Sequence, residues 1–306
     1  MLQKLLTFTL SMALFTSVAS AASILIVATN VDTIPGTTTP TGLWAEELVV
    51  PHRIFTKAGF TVDIASPAGG NVPVDAASVN PATVGEEMAA QVNGWLEHFG
   101  ELLENTPKVS DLSADHYVAM FVAGGHGVMW DIATDEGLRN ITIDFFDAGK
   151  AVASVCHGPA FLAQAKRTDG SYVIAGYKVT GFSNAEEAAI EMTEVVPFSL
   201  EDELQKASEG KYVAGKELFG SHAVVDRNLV TGQNPASSEA VAQKLLDVIA
   251  SLQKAPKRIN RAIIKCPVCK GTGVAHGGPG MYPYTCPKCK GKGYITNNQP
   301  PISTDH

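Results

Sequence analysis

Three short runs in this chain have no polar face: "SILIVAT" from Ser23, "YVAMFVA" from Tyr117 and "AVASV" from Ala151. A strand wetted on one side alternates apolar and polar residues. These runs are apolar or small throughout, so both of their faces must be covered. Between them lie stretches with helical spacing: "TGLWAEELVVPHRIFTKAG", "EEMAAQVNGWLEHFGELLE" and "DEGLRNITIDFFDAGK". "TVDIASP" adds a strand and "RNLVTGQNP" a strand and turn, and "SSEAVAQKLLDVIASLQK" is a closing amphipathic helix opened by serine. Apolar strands separated by helices predict an α/β fold whose mostly parallel sheet is covered on both faces. The 306 residues suffice for one such domain and a small appendage.

The ends of the chain differ from this body. "MLQKLLTFTLSMALFTSVASAA" places Lys4 before an apolar run from Leu5 to Val18, followed by Ala19-Ser20-Ala21. That layout predicts a signal peptide over residues 1–21 and an exported protein, periplasmic or secreted. From Lys254 to Ile295 there are nine Lys or Arg and no Asp or Glu, whereas residues 1–253 carry 14 bases against 30 acids. An acidic body (22–253) is thus joined by a basic linker (254–264) to a basic end. Such an end suits anionic lipid, nucleic acid or the body itself, or simply solubilises the segment. No specific nucleic-acid partner is expected.

"CPVCKGTG" and "CPKCKGKG" repeat the pattern C-x-x-C-x-G-x-G, with sixteen residues between Cys269 and Cys286. Two such pairs suit a four-cysteine zinc site, whose glycines turn backbone N–H groups toward sulfur. The spacing predicts a small zinc-ribbon-like knuckle over residues 265–295, with Cys266, Cys269, Cys286 and Cys289 holding structural Zn2+ and a disordered tail at 296–306. Two disulfides are the competing arrangement, and export permits them.

The only other cysteine, Cys156, follows "AVASV" directly, with His157 beside it and Pro159 ahead of an apolar helical segment. A thiol on a strand–turn–helix corner projects into the cleft beyond the sheet, where the helix amino terminus favours a thiolate. "AGGHG" ends another strand. Gly124 and Gly125 allow close backbone approach, so the N–H groups of Gly125 and His157 are candidates to hold an oxyanion. His126 is either a substrate contact or a satisfied loop histidine.

Together "FVAGGHGVMWD", "VASVCHGPA", "VTGFSNAEE", "PFSLEDEL" and "LVTGQNPASSEAV" resemble the ThiJ/PfpI (class I glutamine amidotransferase-like) superfamily, nearest its heat-shock-protein and glyoxalase III branch. The resemblance runs from about Ser23 to Leu252. It implies a flavodoxin-like three-layer sandwich in which Cys156 pairs with His157 and with a glutamate of the first helix. "TGLWAEELVVP" puts Glu47 at that place, with Glu46 as competitor; adjacent helical residues point about 100° apart, so only one can face the thiol. For a third member that orients the histidine, "GFSNAEEA" offers Asn184 at the family's position, with Glu186 and Glu187 nearby. His222 lacks the glutamate two residues on that glutaminases carry. The implied activity is glutathione-independent conversion of methylglyoxal to D-lactate (glyoxalase III, D-lactate dehydratase) without an organic cofactor, in a homodimer acting on small carbonyl substrates. A holdase chaperone with unfolded clients, or an amidase or peptidase using the same thiol, are the alternatives. The cysteine repeat separately resembles the zinc module of DnaJ-type co-chaperones.

Overall fold

The wholly apolar runs form the centre of the sheet. In chain order the body comprises β1 (Ser23–Val27), α1 (Glu46–Lys57), β2 (Thr61–Ala65), α2 (Pro81–Val84), α3 (Glu86–Phe99), β3 (Tyr117–Val122) and α4 (Glu136–Asp147). Then follow β4 (Ala151–Val155), α5 (Ala160–Gln164), α6 (Asn184–Ala189), α7 (Leu200–Ala207), β5 (Ala223–Asp226), β6 (Leu229–Gly232) and α8 (Ser238–Lys254). The computed structural model describes residues 21–254 and, beyond them, β7 (Ile263–Lys265), β8 (Val274–Ala275), β9 (Tyr284–Thr285) and β10 (Tyr294–Thr296). Residues 1–20 of the expected signal peptide, most of the expected linker, residues 297–306 of the expected tail and Cys266, Cys269, Cys286 and Cys289 lie outside the described residues.

The six strands of the body run in the order β2-β1-β3-β4-β6-β5. β1 pairs in parallel with β2 and β3, β3 with β4, and β4 with β6. All five residues of β4 are buried, as are the last four of β1, so both faces of the central sheet are covered. On one side α1 packs against α8, which also lies on β4 and β6; α4 packs on β4 and, with α5 and α7, forms a separate set. Val27, Phe121, Val152, Leu245 and Ile249 belong to one continuous core. At about 25 cal/mol per Å2 of apolar surface, such burial is the main favourable contribution to folding.

Three details differ from the sequence expectation. β5 was not anticipated. It pairs antiparallel with β6 across the Arg227-Asn228 turn, and its half-exposed residues lack a continuous apolar signal. The helix after Cys156 is also short: Pro159 precedes only five helical residues, and Ala165 is already extended. The last turn expected for α3 is a separate 3-10 turn, Gly100–Leu103, begun by a poor helix former.

The chain divides into two compact units between Lys254 and Ala255. In the second, β7 pairs antiparallel with β10 and β8 with β9. Among the described residues no helix is long and apolar enough to cross a membrane.

The strand order changes direction between β1 and β3, because β2 lies on one side of β1 and the later strands on the other. In open α/β sheets the crevice beyond the carboxyl ends of the strands at such a point is where ligands bind. Gly124 lies just beyond the end of β3, Cys156 just beyond β4, and Glu47 on the helix after β1.

Candidate active site

Cys156 has φ of 60°, the left-handed region that a residue with a Cβ rarely occupies. The surroundings hold it there. Its N–H donates to the Gly232 carbonyl at 3.0 Å, and its own carbonyl accepts from Phe182 N–H at 2.8 Å. Gly158 N–H then closes the turn on the Val155 carbonyl at 2.9 Å. No side chain fits at that glycine, since a Cβ would lie 2.5 Å from Ser154 Oγ and 2.6 Å from the Val122 carbonyl. Backbone strain of this kind, worth on the order of 1–3 kcal/mol, persists where neighbours over-determine the conformation.

The thiol meets two groups. His157 Nδ1 is 3.3 Å from Cys156 Sγ. On the other side is the carboxyl of Glu47, fully buried. Glu47 Oε2 accepts from Gly124 N–H at 2.7 Å, and that glycine is needed because a Cβ there would lie 2.7 Å from the same oxygen. Oε1 makes no well-formed hydrogen bond. The carboxyl and the thiol perturb each other's ionisation: the thiol favours the carboxylate, and the carboxylate disfavours the thiolate. Glu46, one residue earlier, points instead into a surface cleft with Val50, Ile54, Met88 and Glu239.

Burial above all raises the pKa of both Cys156 and Glu47, and the Glu47 charge raises the thiol further. A helix amino terminus that lowers the thiol pKa, expected from the sequence, is therefore not what this elbow provides. Five helical residues carry little dipole. The groups favouring a thiolate are instead two individual N–H donors, of His157 and Gly125, while Gly124 N–H favours the carboxylate. The pair titrates as a unit. Its first proton loss yields either a thiolate beside a carboxylic acid or a thiol beside a carboxylate.

His157 Nε2 lies 2.7 Å from Glu187 Oε2, and His126 Nε2 lies 3.0 Å from Glu187 Oε1. Burial first, then the neighbouring His126, lower the His157 pKa to about 4, against the opposing pull of Glu187. Burial opposes ionisation of Glu187, yet hydrogen bonds from both imidazoles outweigh it and hold its pKa at about 2. At neutral pH His157 is a neutral imidazole that donates from Nε2 to the Glu187 carboxylate. His157 Nδ1 is then a free lone pair facing the thiol, the tautomer a general base requires. Phe182 stacks on His157 with centroids 4.3 Å apart and excludes water from that ring face.

Of the three residues that sequence left open for orienting His157, Glu187 does so. Asn184 does not: its amide donates to Asp202 and accepts from Ser199, away from the histidine. Glu186 is taken up by a capping box with Ser183 and by Phe219 N–H and Asn234. The pattern Ser183-x-x-Glu186 is itself a helix-start signature, a signal that pointed past Glu186 to its neighbour. His126, grouped from the sequence with the oxyanion glycines, spends Nε2 on Glu187. Phe182 went unremarked because an aromatic in a loop carries no periodic signal.

These features define an α/β sandwich with a buried cysteine–histidine–glutamate relay on a strand–helix elbow and a second carboxyl against the thiol. The chain belongs to the DJ-1/PfpI family, which matches residues 39–248. A probable glutathione-independent glyoxalase of Schizosaccharomyces pombe is 29% identical over 236 residues, covering 68% of this chain and 90% of the relative. Among solved structures, the Rapid Encystment Protein 24 KDa of Francisella tularensis is similar with a TM-score of 0.68 and 32% identity, covering 74% of this chain and 99% of that one. Glyoxalase III from Candida albicans is similar with a TM-score of 0.67 and 26% identity, over 74% of this chain and 97% of its own.

Proposed function

We propose that the body is a cysteine-dependent, glutathione-independent glyoxalase of the glyoxalase III type, converting methylglyoxal and related small dicarbonyls to hydroxy acids. The observation that carries this reading is Cys156 on its strained elbow between a neutral base, His157, and a proton-holding carboxyl, Glu47. Similarity to relatives named as glyoxalases supports it.

In this reading the Cys156 sulfur adds to the aldehyde carbon, and the new C–S bond gives a hemithioacetal. Gly125 and His157 N–H groups hold its oxygen. A proton then moves from the former aldehyde carbon to the ketone carbon through an enediol, with Glu47 and His157 as carriers, leaving a thioester. Water cleaves that C–S bond, returning the thiol and releasing the hydroxy acid. One dicarbonyl and one water give one hydroxy acid, so no external oxidant or organic cofactor is consumed.

The test is turnover of methylglyoxal by wild type and Cys156→Ala. Removing a covalent nucleophile should lower kcat by several orders of magnitude. A loss below about tenfold would end the proposal. A holdase role predicts instead that Cys156→Ala still suppresses client aggregation while no dicarbonyl is turned over. An amidase or peptidase would hydrolyse amides with the same thiol.

We further read the chain as an exported homodimer whose four carboxyl-terminal cysteines hold one structural zinc ion. The tripartite amino terminus and the paired C-x-x-C-x-G-x-G motifs support export and zinc; dimerisation rests on the family resemblance alone. A mature amino terminus near Ala22, a particle mass of two chains and one zinc per chain are the corresponding measurements.

A further inference from the structure

Glu186 and Glu187 are adjacent, buried carboxylates. Among the described residues, the Lys and Arg ion pairs all go elsewhere, to Glu136, Asp147, Glu203 and Asp226. Glu186 is held only by uncharged donors: Ser183 N–H and hydroxyl, Phe219 N–H and the Asn234 amide. Glu187 has its two imidazoles and no lysine or arginine. Buried carboxylates are ordinarily paired with a cation or bound to a metal. Glu187 differs from Glu186 in that both of its oxygens meet imidazole nitrogens, which are themselves metal-ligating groups.

The donors around Glu187 already converge. His126 Nε2 and His157 Nε2 approach opposite oxygens of one carboxylate at 3.0 and 2.7 Å, with ring centroids 4.2 Å apart. One ligand atom from each of the three residues lies within 4.8 Å of the others. We propose that His126, His157 and Glu187 form a binding site for a first-row divalent transition ion, Zn2+ foremost, and that its occupancy reversibly switches off the chemistry of Cys156.

Two imidazoles and a carboxylate are a donor set suited to Zn2+, Ni2+ and Co2+, and less to Mg2+ or Ca2+, which favour all-oxygen shells. Access runs past His126, whose side chain keeps 17% of its surface exposed against 1% for His157. Phe182, stacked on His157, supplies a dry wall. Such a shell strengthens the ion's attraction for Glu187. The ion binds without a redox change and without leaving the imidazoles charged. With Nε2 on the metal, the ring proton of His157 moves to Nδ1, 3.3 Å from Cys156 Sγ. The imidazole then only donates toward sulfur and no longer takes a proton from it. The base is lost while the sulfur itself stays unligated. This site is separate from the four carboxyl-terminal cysteines and uses none of their ligands.

The binding arm of the test does not depend on the proposed activity; the inhibition arm rests on that reading. Full-length protein is first saturated with Zn2+ under conditions that fill the cysteine segment, dialysed against low free zinc, and then titrated with Co2+. Wild type and Cys156→Ser should take up one further equivalent of Co2+, with visible d–d bands and no sulfur-to-cobalt charge-transfer band. His126→Asn and Glu187→Gln should each take up none; His126→Asn, partly exposed, is the variant expected to keep its fold, which circular dichroism checks. Equal Co2+ uptake in wild type and folded His126→Asn overturns the site. Loss of uptake in Cys156→Ser overturns the ligand set by placing the ion on the thiol.

In the second arm, micromolar Zn2+ should lower wild-type methylglyoxal turnover at least about tenfold, with recovery on adding EDTA. The residual turnover of His126→Asn should not respond. Binding without inhibition refutes the switch. Absence of turnover without metal refutes the proposed function instead, and leaves the Co2+ titration to decide the site.

Discussion

Two adjacent pairs of glutamates, Glu46–Glu47 and Glu186–Glu187, do different work because neighbouring helical side chains diverge by about 100°. In each pair the second residue turns to the thiol relay and the first to the scaffold or surface. The periodicity of α1 alone did not separate Glu46 from Glu47; the family resemblance did, and the Gly124 N–H bond to Glu47 supplies the physical reason. Exchanging each for glutamine tests the assignment. Glu47→Gln removes a proton carrier and should lower dicarbonyl turnover by about 100-fold or more, whereas Glu46→Gln should retain most of it. The reverse ranking would show that α1 has been assigned the wrong face. The same variant has a pH signature. Burial raises the Glu46 pKa from 4.5 to about 7, so between those values the folded chain holds more protons than the unfolded one. Stability contributed by this group is full below pH 4.5 and is lost as pH rises through 7. Glu46→Gln removes that loss. Its melting temperature should match wild type near pH 5 and exceed it at pH 8 by roughly 2–4 °C, taking on the order of 1 kcal/mol after discounting for the half-exposed position. A constant difference across that range would assign the effect to packing.

At the scale of elements, the elbow depends on residues that have no side chain. Gly158 sits where a Cβ would press on Ser154 Oγ and the Val122 carbonyl, tying the turn after β4 to the neighbouring end of β3. Gly158→Ala should force the two strand ends apart. We expect a stability loss of about 1–3 kcal/mol, typical of overpacking, and a larger fractional loss of turnover, since Cys156 moves relative to Glu47. A variant with wild-type turnover and melting temperature would show that the corner is not held as tightly as described. Element order was legible in the sequence where burial was two-sided. β1, β3 and β4 are apolar on both faces, and no surface helix or loop tolerates that pattern. β5 was not legible because only one neighbour pairs with it and its residues are half-wet. The helices α5, α6 and α7 have five to eight residues, fewer than a periodic pattern needs to register. The length of α5 mattered chemically. A long helix behind Cys156 would act on the thiol through its dipole, whereas here two particular N–H groups do so.

On the scale of the whole molecule, an acidic body is followed after Lys254 by a basic segment with paired cysteines, and the chain divides into two units at that point. Among the described residues the hydrophobic core runs from Ile24 to Ile249, so the body completes its interior before the boundary. The relay also closes within it: Cys156, His157, Glu187, His126, Glu47 and Gly124 take every partner found above from residues 47–232. A body that buries its own core gains little stability from a neighbouring unit. A chain ending at Lys254 should therefore melt within a few degrees of the full-length protein and retain methylglyoxal turnover within about twofold, well under the tenfold step of 1.4 kcal/mol in barrier. The four-cysteine segment behaves oppositely. A thiolate zinc site is deprotonated on binding, and its metal-binding energy is largely its folding energy. Full-length protein should thus carry one more zinc per chain than the truncated form, and that zinc should leave with the segment. Metal-free protein with two disulfides in this segment would reverse the ligand assignment for Cys266, Cys269, Cys286 and Cys289. An inactive but folded truncation would show that the carboxyl-terminal unit contributes to the site at Cys156.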